Sequence, residues 1–233
     1  MINSFSRFSI FSFILCLMLL ISCNEQKKQT PEETKNITTL NMINSDSIKN
    51  FKWFHEPKSW KVTSEGLLIE PDSGSDFWQR THYGFRNDNA HFLYKEVEGD
   101  FEMTTTVSFS AKQSYDQGGL CVRLDGDNWL KTSTEYETSE FSHLGAVVTN
   151  LGYSDWSTQE IPANIRRVEY TIIRKGQDFE IYAKYGQKDF QQIRIAHLHK
   201  EAPKINIGLY ACSPTDKGFS ALFERFEINK KEK

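Results

Sequence analysis

From Phe51 onward the chain alternates apolar and polar side chains in run after run. In FEMTTTVSF, Phe101, Met103, Thr105, Val107 and Phe109 share one face, and Glu102, Thr104, Thr106 and Ser108 share the other. Successive side chains of a strand point to opposite faces, so such a run can bury one side and wet the other. KINIGLYAC places Ile205, Ile207, Leu209 and Ala211 together in the same way. VEYTIIRKG and DFEIYAKYG do so with Val168, Tyr170 and Ile172, and with Phe179, Ile181 and Ala183. Lys175-Gly176 predicts a hairpin between those last two runs. A second hairpin is predicted at Leu124-Asp125-Gly126-Asp127-Asn128. All 13 glycines lie between Gly66 and Gly218, punctuating the apolar runs. No helical pattern of useful length and no internal repeat interrupts them. A long series of antiparallel strands is stable when its apolar faces pack as two sheets. The expected fold is all-β, a two-sheet antiparallel jelly-roll sandwich.

Composition narrows the function classes. A net charge of −3 gives no basic face for nucleic acid. An aromatic content of 13% excludes a disordered acidic chain. The first residues read differently from the rest. Arg7 precedes an apolar run, Phe8 to Ile21, that is short for a bilayer span. The run ends in Leu20-Ile21-Ser22-Cys23, which resembles a bacterial lipobox with a small residue before the cut and a thiol to receive the lipid. This reading makes 1–22 a lipoprotein signal peptide and Cys23 the lipidated residue. Multiple acyl chains anchor a protein stably. Residues 23–45 then form a flexible tether with cancelling charges and no aromatic residue. The sandwich domain is expected over 46–233. The expected location is the outer membrane, facing out of the cytoplasm, with Asn24 after the cysteine pointing to that membrane by analogy. Cys121 and Cys212 both lie in apolar runs, as a disulfide or as two buried small hydrophobes.

An ordered set of motifs runs through the domain. It begins Asp76-Phe77-Trp78, Tyr115-Asp116-Gln117-Gly118-Gly119-Leu120 and Val122-Arg123-Leu124-Asp125. It continues Asn128-Trp129-Leu130-Lys131, Glu135-Tyr136, Val147-Val148-Thr149-Asn150 and Ser154-Asp155-Trp156-Ser157. It closes with Gly208-Leu209-Tyr210-Ala211-Cys212-Ser213-Pro214. This order resembles the domain family of unknown function named for a yeast regulator of enolase, from about Phe51 to Ile228. That resemblance implies the concanavalin A-like lectin/glucanase superfamily and a likeness to sandwich domains appended to some β-xylosidases. It implies a fold and no particular activity, because lectin-like sandwiches host binders and enzymes alike.

Period two also nominates a site. Leu120, Val122, Leu124 and Leu130 point to one side, leaving Arg123, Trp129, Lys131 and Glu135 on the outer face of one sheet. Rings offer flat apolar surfaces to sugar C–H groups, while cations and carboxylates hydrogen-bond hydroxyls. Trp78, Asp116, Gln117 and Trp156 are expected on rim loops beside that face. The expected partner is a poly- or oligosaccharide bound on a concave sheet face, alongside the membrane contacted through the lipid. The competing account of these residues is an ordinary polar face with salt bridges.

Glu135, Glu137 and Glu140 are similar to the E-x-D-x-x-E run of retaining glucanases, with Glu in place of the middle Asp. A glycoside hydrolase or lyase using Glu135 is therefore one alternative. A protein-interaction domain without a small ligand is the other. His197 and His199 lack an apparent third ligand, and Asp125-Gly126-Asp127-Asn128 lacks the rest of a calcium loop. No metal, cofactor or nucleic acid is expected.

Overall fold

The computed structural model describes residues 42–216 and 218–231. The signal peptide expected at 1–22, Cys23 and most of the tether lie outside the described residues. Two seven-stranded antiparallel sheets face each other. The front sheet runs β1 (Lys52–Phe54), β6 (His91–Glu98), β15 (Lys204–Cys212), β8 (Gln117–Asp125), β9 (Asn128–Tyr136), β10 (Phe141–Asn150) and β11 (Tyr153–Pro162). The back sheet runs β14 (Gln191–His197), β13 (Asp178–Tyr185), β12 (Arg167–Lys175), β7 (Phe101–Phe109), β16 (Ala221–Lys230), β3 (Gly66–Glu70) and β2 (Ser59–Thr63). A two-stranded ribbon, β4 (Phe77–Gln79) with β5 (Arg86–Asp88), joins neither sheet by strand pairing.

The alternating runs supply the core between the sheets. Phe101, Met103, Val107, Val168, Tyr170, Ile172, Phe179 and Ile181 meet Leu120, Val122, Leu130, Ile207 and Leu209 there. The Tyr170 hydroxyl lies 2.7 Å from Thr134 Oγ1, so a polar pair bridges the sheets inside the apolar layer. Both predicted hairpins form. Lys175 pairs with Asp178 around Gly176, whose φ of 63° suits glycine. Asp125 pairs with Asn128, and Asp125 Oδ1 accepts the Asp127 N–H and the Asn128 side-chain amide at 2.9 Å each. The Asp-Gly-Asp-Asn run thus caps its own turn.

The structure departs from the sequence reading in two places. The fold begins inside the segment read as tether: Met42 bridges Arg225, and Ile43 is 2% exposed within the core. Met42-Ile43, followed by the polar run Asn44-Ser45-Asp46-Ser47, is too short an apolar stretch for detection by alternation. The outer face of the front sheet is also partly covered. Cys121, Trp129, Tyr210 and Cys212 point outward from β8, β9 and β15, and Phe77, Trp78 and Phe92 pack with them as a second core. Central strands that are apolar on both faces need a cover, and the β4–β5 ribbon provides one.

The two cysteines are free and buried. Cys121 pairs opposite Gly208 and Cys212 opposite Gln117, four positions apart on the ladder. That separation is about 13 Å at strand rise, beyond the roughly 7 Å that a disulfide spans.

Candidate functional site

Beside the ribbon, the outer face of the front sheet stays open as a cavity of about 390 Å³. Strand register builds its floor. Gln117, Glu135 and His143 lie in one row across β8, β9 and β10. Lys131 and Val147 lie in a second row across β9 and β10, and Trp156, next in that row on β11, rises at its edge into the wall. Glu137, just beyond β9, completes the acidic end. Asp76, immediately before β4, reaches the Lys131 ammonium at 3.4 Å.

The wall is aromatic. Trp78 of the ribbon meets Trp156 edge-on at 6.4 Å between ring centroids and Tyr83 at 5.4 Å. Tyr83 stacks on Phe85 at 5.8 Å, and both are exposed. Tyr115 and Pro214 also line the cavity. The loops that carry these rings hold non-glycine residues in left-handed backbone: Arg80 at φ 56°, His82 at 62° and Tyr115 at 76°. Such conformations cost of order 1–3 kcal/mol each and persist where surrounding contacts fix them. Here the Tyr115 N–H donates to the Tyr136 carbonyl at 2.6 Å, and the Arg80 guanidinium donates to the Gly152 carbonyl at 3.1 Å.

Charge in the floor is tightly organised. Lys131 is 4% exposed at its side chain. Burial opposes its charge, but Asp76, with smaller contributions that include Glu135, more than offsets this and holds its pKa above the ordinary lysine value. Glu135 moves the other way for a carboxyl: burial, reinforced by Asp76 and Glu137, outweighs Lys131 and pushes it up to about 8. At neutral pH the Glu135 carboxyl is therefore mostly protonated. Gln117 is oriented by its neighbours. Its Oε1 accepts from the Tyr210 and Ser133 hydroxyls at 3.1 and 3.3 Å, which turns its amide nitrogen toward Glu135 Oε2. His143 Nδ1 lies 2.9 Å from Glu137 Oε1, and the His143 ring meets Trp156 edge-on at 5.5 Å.

Of the residues nominated from sequence, Trp78, Gln117, Lys131, Glu135 and Trp156 surround this one cavity, with Trp78, Gln117 and Trp156 on strands β4, β8 and β11 and not on the rim loops expected. Trp129, Arg123 and Asp116 do not. Trp129 is 1% exposed, packs 5.6 Å from Phe77 and donates its indole N–H to the Gly126 carbonyl. Arg123 pairs with Asp88 at 2.8 Å and lies over the Phe54 ring at 4.4 Å. Asp116 is 1% exposed and ties the Tyr115 loop together, its Oδ2 accepting from the Lys112 and Gln113 N–H groups and its Oδ1 from Ser213 Oγ. The alternation placed Trp129 and Arg123 on the correct face; the ribbon then covered that part of it.

The carboxylate trio divides. Glu135 and Glu137 share the cavity, whereas Glu140 is exposed on the following turn. His197 pairs with Asp178 at 2.7 Å, away from the cavity. No group of three or more His, Cys, Asp or Glu able to hold a metal occurs among the described residues. Sequence reasoning missed Asp76, His143, Tyr83, Phe85 and Tyr115 as cavity residues. The aromatic spacing in Thr81-His82-Tyr83-Gly84-Phe85 was the available signal for two of them.

The comparisons agree with this architecture. Regulation of enolase protein 1 of Saccharomyces cerevisiae is 31% identical over 176 residues, covering 76% of this chain and 87% of that protein. The crystal structure of a functionally unknown protein from Saccharomyces cerevisiae superposes with a TM-score of 0.73 at 28% identity, covering 80% of this chain and 99% of that one. The carbohydrate binding module CBM66 from Bacillus subtilis shares the fold at 15% identity, with a TM-score of 0.50 over 82% of this chain and 98% of that one. The GH43 protein BlXynB from Bacillus licheniformis also shares it, at 15% identity and a TM-score of 0.59 in a mutant structure, over 78% of this chain and 37% of that one. Residues 53–231 match the family described as a protein of unknown function, DUF1349, and the chain belongs to that family.

Proposed function

We propose that this protein is an exported lipoprotein, anchored through Cys23 to a bacterial outer membrane, that binds a poly- or oligosaccharide in the cavity of its front sheet. The observation that carries the binding role is the facing of an aromatic wall, Trp78, Tyr83 and Trp156, onto a floor of hydrogen-bonding groups, Lys131, Glu135 and Gln117. Sugar rings present both surfaces at once: C–H faces that pack on aromatic rings and hydroxyls that pair with charged and amide groups. Fold neighbours that include a carbohydrate binding module and GH43 proteins support this reading. A glycan array with the full chain and Trp156→Ala tests it. Binding to at least one glycan, weakened in the variant, is expected; an array with no binding refutes it. Incorporation of a labelled fatty acid, lost in Cys23→Ala, tests the anchor.

A second reading has one specific observation in its favour. Glu135, held protonated near neutral pH, sits beside Glu137, a combination that could serve a glycoside hydrolase or lyase as proton donor and acceptor. It requires turnover of some glycan that Glu135→Gln abolishes while the fold is retained.

A further inference from the structure

The charge pattern of the cavity carries the binding reading one step further, to the class of sugar. Among the described residues, three carboxyl groups line it, Asp76, Glu135 and Glu137, against a single ammonium, Lys131, and no arginine. Lys131 is spent internally. Its Nζ lies 3.4 Å from Asp76, it is 4% exposed, and the rings of Trp129 and Tyr210 flank it at 6.0 and 5.6 Å. His143 is engaged with Glu137 in the same way. An incoming carboxylate or sulfate would therefore find no unpaired cation among the described residues that line the cavity. It would lose water beside the Glu137 carboxyl with no lysine or arginine left to pair it, and burying an uncompensated charge is costly. A hydroxyl meets no such penalty. It can donate to Asp76 and Glu137 and accept from the protonated Glu135, while the ring packs against Trp78 and Trp156. A cavity of about 390 Å³ also lies near the lower end of small-ligand sites, which suits a short stretch of chain.

We infer that the cavity takes one or two uncharged sugar units and rejects the corresponding uronic-acid units. This inference rests on the carbohydrate-binding reading. Isothermal titration of the full chain with matched oligosaccharide pairs tests it: gluco- against glucurono-, galacto- against galacturono-, and manno- against mannurono-oligosaccharides. The expected result is saturable binding of at least one neutral series, with its uronate counterpart at least tenfold weaker. Glu137→Gln is expected to narrow that gap by removing one repelling charge. A uronate series that binds as tightly as its neutral partner, or more tightly, overturns the charge inference and leaves the binding function standing. No binding by any series overturns both.

Discussion

Replacing Glu135 by Gln should make the protein more stable, by an amount that grows with pH. The ordinary glutamate value is 4.5, whereas the folded protein holds Glu135 at about 8. Below pH 4.5 both the folded and unfolded chains carry the proton. Between 4.5 and 8 the folded chain keeps it and the unfolded chain has released it, so stability contributed by this group falls as pH rises. At 1.36 kcal/mol per pH unit the full gap comes to roughly 5 kcal/mol, of which about 4 kcal/mol accrues between pH 5 and pH 9. Glutamine keeps the shape and can still accept from the Gln117 amide, but it does not titrate. Urea denaturation of wild type and Glu135→Gln at pH 5, 7 and 9 measures the difference directly, since other groups cancel in the comparison. The advantage of the variant should rise by several kcal/mol across that range with m-values unchanged. A difference that stays flat to within about 1 kcal/mol of its pH 5 value, or that shrinks with pH, would refute the account of a desolvated, protonated Glu135.

Other substitutions separate packing from binding. Trp129→Ala removes a fully buried ring from beneath the ribbon and should cost about 3–5 kcal/mol. Thermal unfolding checks it, and a near-neutral result would mean that the second core is not closed. Ile43→Ala should cost about 2–4 kcal/mol by leaving a cavity if the domain begins at Met42. A change below about 0.5 kcal/mol, usual for exposed positions, would place that residue in the tether.

Much of the sandwich was legible because both sheets are built from strands whose inward positions are regularly apolar. Phe101 to Phe109 and Ile205 to Ala211 alternate so cleanly that the inward face followed from the sequence. The site was legible only in part. Period two put Lys131 and Glu135 on the outer face, but it cannot tell an open face from a covered one. That distinction depends on where β4 and β5 lie, and their three-residue strands carry no period. Register was equally hidden: His143 joins Glu135 only because β10 pairs with β9 at that position. Ile43 escaped notice for the same reason as the ribbon, since the short Met42-Ile43 anchor makes no pattern.

The central claim is that Trp78 and Trp156 form the wall of a sugar site above Lys131 and Glu135. Tryptophan fluorescence of the full chain, titrated with neutral oligosaccharides, reports on that wall directly. A saturable change is expected for at least one oligosaccharide, with at least a tenfold loss of affinity in Trp156→Ala and the unfolding transition little altered. Binding of equal strength in wild type and variant, or no response to any sugar, would contradict it.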